Sequence, residues 1–214
     1  MYFFHSRRNM LKISLVLILS LMCALCVAKT QTSTPQTTQN ASSTSIKTLV
    51  IVSHPYPEQS TMIKGLQQAA EQVEGVTVRN LESLYGFDRA IDANKERELT
   101  QQHDRIVFIF PTHWFNITPM MKAYMNDVWG SVGPGLWQGK EMLIVTTAAG
   151  GNTTYGQSGR IGVDLSDVFM PMKASALHAG MKYSPPLAFQ SVSAAKLPDY
   201  QQQLIQRLQH SVMK

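Results

Sequence analysis

Lys47-Thr48-Leu49-Val50-Ile51-Val52-Ser53 and Arg105-Ile106-Val107-Phe108-Ile109-Phe110 are the two stretches that decide the fold. Neither alternates polar with apolar residues. A strand with one wet face shows that alternation, whereas a strand covered by helices on both faces reads as an unbroken aliphatic run. Glu141 to Thr147 has the same character. Outward from these runs, Thr61 to Val73 carries Met62, Ile63, Leu66, Ala69, Ala70 and Val73 at helical spacing, and Gly75 ends the helix. Val76 to Leu81 alternates as a strand. A loop around Tyr85-Gly86-Phe87-Asp88 leads to a polar helix near Asn94 to Gln102. Pro119 suits the first turn of a helix running from Met120 to about Trp129. Beyond the strand at Glu141, a glycine-rich loop from Ala148 to Gly159 precedes a helix from about Asp164 to His178. Met181 to Phe189 is a fifth strand, broken by Pro185-Pro186, and Asp199 to Val212 a last helix.

The elements therefore alternate β and α throughout. Each right-handed crossover must pack its helix back on the sheet, so helices cover both faces. Five such strands predict an α/β, flavodoxin-like three-layer sandwich with a parallel sheet in the order 2-1-3-4-5. Ligands of such sheets bind outside the carboxyl ends of the strands, at the switch point between strands 1 and 3. Three loops, 53–61, 110–119 and 146–156, are thus expected to build the site.

The excess of positive charge and both cysteines lie in the first segment. Of the 19 Lys and Arg, only Arg7, Arg8, Lys12 and Lys29 precede Lys47, and no acid does, leaving 15 basic residues against 14 acidic ones. The near-neutral remainder gives no support to nucleic-acid binding. Cys23 and Cys26 both lie before residue 47, which excludes a disulfide, a cysteine-held metal or a cysteine nucleophile from the body. Arg7 and Arg8 followed by the apolar run Ile13 to Val27 and then Ala28 read as a signal peptide or N-terminal membrane anchor over 1–28. Ser6-Arg7-Arg8-Asn9-Met10-Leu11-Lys12 also resembles a twin-arginine export motif. Residues 29–46, rich in Thr, Ser and Gln, form a linker that cannot pack a core. The folded domain spans 47–214. Positive charge ahead of the apolar run places that domain outside the cytoplasmic membrane, exported to the periplasm or tethered.

Two loops carry candidate ligand chemistry. Ser53-His54-Pro55, with Ser60-Thr61 at a helix start, offers hydroxyls and free N–H groups to a phosphate; Ser60 also serves as a plain helix cap. Pro111-Thr112-His113-Trp114-Phe115-Asn116 puts two large aromatics at a strand's carboxyl end, where they either cover a flat ligand or meet another protein surface. No nucleotide-triphosphate motif and no His, Asp or Glu cluster with metal-ligand spacing is present.

The run Pro111…Trp114-Phe115…Pro119…Lys122…Val128 resembles the signature of the NAD(P)H:quinone oxidoreductases, a group that includes the ancillary subunits of glutathione-gated potassium efflux systems. His54-Pro55, Thr146-Thr147 and Pro185-Pro186 fall in register with it. The resemblance implies a homodimeric flavoprotein holding FMN or FAD, with NAD(P)H as donor and a small-molecule quinone as acceptor. It assigns His54, Ser60 and Thr61 to the flavin phosphate, and Pro111, Trp114, Phe115 and Asn116 to the isoalloxazine. Thr146, Thr147, Ala148 and Ala149 close the other side, with His113 and Tyr155 as the catalytic candidates. The chain departs from that pattern at Ile63, usually Asn, and at Ala148-Ala149, usually Gly-Gly. The loop after Val128 is shorter, and Gly159-Arg160-Ile161-Gly162 lacks a common histidine. Two alternatives stay open: a flavin-binding regulatory subunit of an efflux system, and an exported cofactor-free domain of the same fold.

Overall fold

The computed structural model describes residues 46–210, apart from Phe87 and 131–133. The leader, all but the last residue of the linker, and the end of the last helix expected over 211–212 lie outside the described residues. The central sheet is built from β1 (Thr48–Val52), β2 (Val76–Asn80), β3 (Arg105–Pro111) and β4 (Glu141–Thr147), in the order β2-β1-β3-β4 and all parallel. The expected fifth strand is two short ones, β5 (Lys182–Tyr183) and β6 (Leu187–Phe189), both parallel to β4. Pro185 and Pro186 have no N–H to give the ladder, so pairing stops after Ser184 N–H reaches Met142 O at 2.9 Å. The order 2-1-3-4-5 stands, with a sixth strand added to it.

Alternate residues of each strand enter two separate cores. Leu49, Ile51, Ile106, Phe108, Phe110, Met142 and Ile144 face one way. They pack against α3 (Ala93–Gln101), α4 (Pro119–Tyr124) and α5 (Met170–His178). Val50, Val52, Val107, Ile109, Leu143 and Val145 face the other, against α1 (Thr61–Glu71) and α6 (Leu197–Gln209). Burial on both faces is why the strands read as unbroken apolar runs.

Three elements differ from the sequence reading. Leu81 does not extend β2 but opens a short helix, α2 (Leu81–Tyr85), capped by Asn80 accepting from Ser83 N–H. α5 begins at Met170 rather than Asp164, after a 3₁₀ turn over Asp167–Phe169, with Pro171 in its first turn. α4 passes into a π-helical turn, Met125–Trp129. The carbonyls of Asp127 and Val128 at its end are met by the Arg97 guanidinium at 2.7 and 2.9 Å. None of the described helices is long and apolar enough to cross a membrane.

Candidate functional site at the strand carboxyl ends

β1 and β3 are neighbours whose following helices, α1 and α4, lie on opposite faces, so their carboxyl ends open a crevice. One wall is the loop after β1. His54 Nδ1 accepts the Tyr56 N–H at 2.9 Å, which leaves Nε2 as the protonated, donating nitrogen. Burial pushes the His54 pKa below the ordinary histidine value, and the neighbouring charge of His113 pushes the same way. The imidazole is thus kept neutral. His54 and His113, from different loops, come within electrostatic reach of one another. Ser60 Oγ accepts the Ile63 N–H at 3.1 Å, so its hydroxyl oxygen is engaged as the α1 cap, while Thr61 is exposed. Ile63, which departs from the family pattern, is buried in the core beneath α1.

The other wall is the loop after β3. His113 and Asn116 exchange backbone hydrogen bonds of 2.9 and 3.0 Å, closing a two-residue turn at Trp114-Phe115. Both aromatics have positive φ, 49° and 58°. A type I′ turn needs positive φ at both central positions and is normally met by Asn-Gly. Each bulky residue held there costs on the order of 1–3 kcal/mol. Trp114 is nevertheless 87% exposed and Phe115 40%. The strained turn therefore holds an indole out in solvent and does not bury it. Beneath it, Phe115 meets Tyr155 edge-on, ring centroids 6.1 Å apart. Burial raises the pKa of the Tyr155 phenol, which therefore stays protonated.

The floor comes from the ends of β3 and β4. Pro111 and Thr147 pair in the last register position, Thr112 N–H donates to Thr147 O at 2.7 Å, and the Thr112 and Thr146 hydroxyls meet at 3.0 Å. Ala148 N–H donates to Phe189 O at 2.8 Å and the residue is buried in the core, which leaves that N–H unavailable to a ligand. Ala149 is exposed. A Cβ at Gly151 would lie 2.0 Å from Ser191 Oγ, which would have to rotate away. At the carboxyl ends of the strands the structure brings His54 near His113 and Phe115 against Tyr155, with Thr146 and Thr147 buried at the end of β4. Asn116 turns its Oδ1 back to Ile117 N–H.

Glu82 was absent from the sequence-derived site; Ser53 stood in it only among the hydroxyls offered to a phosphate, and Thr118 only as part of the loop 110–119. Ser53 Oγ donates to Glu82 Oε1 at 2.7 Å and also meets the Thr118 hydroxyl, which caps α4 by accepting Met121 N–H at 3.2 Å. Only a helix start at Leu81 brings Glu82 to this place. A cavity of about 190 Å³ beside it is lined by Pro55, Tyr56, Arg89, Pro119 and Met120. A concavity of about 480 Å³ lies away from the strand ends, between the π-helical turn and α5. Among the described residues no His, Cys, Asp and Glu group has a metal-holding arrangement.

Fold and crevice together define a doubly wound α/β protein with an aromatic shelf at the carboxyl ends of its central strands. The chain belongs to the flavodoxin-like fold family, whose sequence pattern matches residues 46–212. General stress protein 14 of Bacillus subtilis (strain 168) is 33% identical over 160 residues, covering 72% of this chain and 90% of that protein. Among solved structures, general stress protein 14 of Treponema denticola in complex with FMN is 26% identical, with a TM-score of 0.71, covering 76% of this chain and 97% of that one. An NADPH-quinone reductase of P. pentosaceus is 26% identical, with a TM-score of 0.65, covering 77% of this chain and 96% of that one.

Proposed function

We propose that the domain holds FMN in this crevice and passes hydride from NAD(P)H to a quinone. The observation that carries the reading is the strained Trp114-Phe115 turn, an exposed aromatic shelf at the switch point where the fold places ligands. FMN in the Treponema denticola relative supports FMN rather than FAD, and the P. pentosaceus reductase supports the donor and acceptor. The residues fit the group. His54 offers a neutral Nε2–H donor, and the first N–H groups of α1 have no partner further back in their helix. Those donors suit a phosphate. Trp114, Phe115 and the end of β4 bound a slot for a flat ring, and the Tyr155 hydroxyl stays a donor. The flavin supplies two-electron chemistry, and the chain supplies position and field. Reduction of a quinone needs a proton for each hydride, and His113 stands at the rim to deliver it.

A second copy of the chain is the natural cover for the shelf. Trp114 and Val163 are exposed, and Met170 and Leu177, seven residues apart on α5, are exposed as well. This supports a homodimer. The leader supports an exported or tethered domain, where a membrane quinol is an alternative electron source to NAD(P)H.

Mixing the purified protein with FMN and recording its visible spectrum tests the reading. Expected are retention of yellow colour through gel filtration, bleaching by NADPH and recovery with a quinone. A chain that stays colourless overturns the flavin reading. Colour without bleaching by NADPH overturns the donor.

A further inference from the structure

Glu82 lines the cavity beside the β1–α1 loop and accepts from Ser53 at the end of β1, and the proposed function gives it no part. Its carboxylate sits where three segments converge: the end of β1, the start of α2 and the start of α4. The hydrogen bonds between them have a direction. Met121 N–H is a donor only, so Thr118 Oγ1 accepts from it. An ionised carboxylate accepts only, so Ser53 donates to Glu82. The Thr118 hydroxyl is then left to donate to Ser53. One chain of donors thus runs from the α4 amide through Thr118 and Ser53 to Glu82. The His54 backbone N–H also faces the carboxylate and favours its charge. The second oxygen, Oε2, is buried and has no hydrogen-bond partner among the described residues. Leaving that oxygen unpaired carries a desolvation cost that the hydrogen bonds at Oε1 have to offset.

We propose that Glu82 is a positioning residue of the crevice, its carboxylate fixing through Ser53 and Thr118 the two loops that hold His54 and the Trp114-Phe115 turn. The proposal rests on the flavin reading for its consequence, since what it positions is the phosphate donor and the aromatic shelf. Ser53 and Thr118 are both fully buried, so their hydroxyl protons have no solvent to turn to. Removing the acceptor at the end of the chain frees the Ser53 hydroxyl and the His54 amide together. The β1–α1 loop then loses its anchor on α2.

The test is a double-mutant cycle on the full domain, reading FMN affinity by quenching of flavin fluorescence and stability by thermal melting. Glu82→Ala is expected to weaken FMN about tenfold, Ser53→Ala by a similar factor, and the double variant no more than either alone. Glu82→Gln keeps the acceptor oxygen and removes the unpaired charge. It is expected to recover affinity to within about twofold while melting above wild type. A residue that only supports the fold would lower both quantities in every variant. Unchanged FMN affinity in Glu82→Ala, or effects that multiply in the double variant, overturns the proposal. If wild type binds no FMN, the functional reading fails instead. The positioning role is then decided on the apo-protein by amide hydrogen exchange at His54 and Met121. Glu82→Ala is expected to speed both roughly tenfold relative to the amides of β3, and unchanged exchange overturns it.

Discussion

The two ends of the central sheet are built on opposite principles. At the amino end, Arg105, the first residue of β3, is fully buried yet satisfied by protein alone. Its guanidinium donates to Thr48 Oγ1 at 3.0 Å, to Arg207 O at 3.1 Å, to His210 O at 3.2 Å and to Leu208 O. Glu141 lies 4.0 Å away and accepts from the Ser184 hydroxyl. A single side chain thus caps the last carbonyls of α6 and ties them to the sheet. At the carboxyl end, by contrast, two aromatics sit in unfavourable backbone conformations, and one carboxylate oxygen is buried without a partner. Arg105 satisfies its partners where it ties helix to sheet, whereas the Trp114-Phe115 turn and Glu82 depart from local preference where a ligand is expected.

Breaking the amino end should produce the largest effect. Arg105→Ala leaves three helix-end carbonyls without their donor and removes one half of a buried ion pair. The expected loss is about 3–5 kcal/mol, a fall in Tm of roughly 10 °C for a domain this size. FMN affinity measured well below that Tm should stay within about twofold of wild type. A large loss of affinity in the folded variant would show that the two ends are not separable. The converse change comes next in size. Trp114→Asn with Phe115→Gly gives the turn the residues its backbone prefers and should raise stability by about 2 kcal/mol. The same pair should lose FMN affinity by at least about tenfold, because the shelf is gone. Affinity that survives would remove the aromatic turn from the site.

The difference between the ends also governs what the sequence discloses. Strand order, the two-sided burial and the crevice are legible, because unbroken runs such as Val50-Ile51-Val52 and Phe108-Ile109-Phe110 have few alternatives to a parallel sheet. The Trp114-Phe115 pair was legible as an oddity of position, two large aromatics straight after a strand. Its left-handed backbone was not, since nothing in Trp or Phe favours positive φ. Arg105 reads as the polar start of a strand, and its helix-capping role depends on residues about a hundred positions later. Glu82 was hidden for a related reason. Leu81 continues the alternation of β2, so the sequence extends the strand by one residue, whereas Asn80 caps a new helix and turns Glu82 inward.

Protonation separates the ends more gently. Burial raises the Glu82 pKa, partly offset by its hydrogen bond from Ser53. The groups around the carboxylate are His54 and Tyr56 from the β1–α1 segment and Arg89 beyond α2; α4 contributes only Pro119 and Met120. A raised folded value means that the native protein binds this proton more readily than the unfolded chain does. Its stabilising contribution is therefore present in acid and lost as pH rises through the folded value. The stability advantage of Glu82→Gln over wild type should accordingly be full at pH 7 and vanish toward about pH 4, where wild-type Glu82 is itself neutral. Parallel melting curves of the two proteins across that range decide it. An advantage independent of pH would mean that Glu82 has the same pKa folded and unfolded, so that burial does not act on its charge.

The smallest effect concerns His54. Its folded pKa is depressed by burial and by His113, so the unfolded chain takes up this proton first. The contribution of the neutral ring to stability is present above the ordinary histidine value of about 6.5 and lost as pH falls from there through the lower folded value. A phosphate at Nε2 reverses the preference, because an anion favours imidazolium. Binding of FMN near pH 6 should therefore be accompanied by uptake of a fraction of a proton at His54, and linkage fixes the consequence. Affinity should rise a few-fold more steeply with falling pH in wild type than in His54→Gln, and never by more than about tenfold per pH unit, the limit for one proton. The His54 imidazole resonance should titrate below about pH 6.5 without FMN and above its apo value with FMN bound. If FMN leaves that titration unmoved, the phosphate lies elsewhere, and the β1–α1 loop holds a neutral histidine for reasons of packing alone.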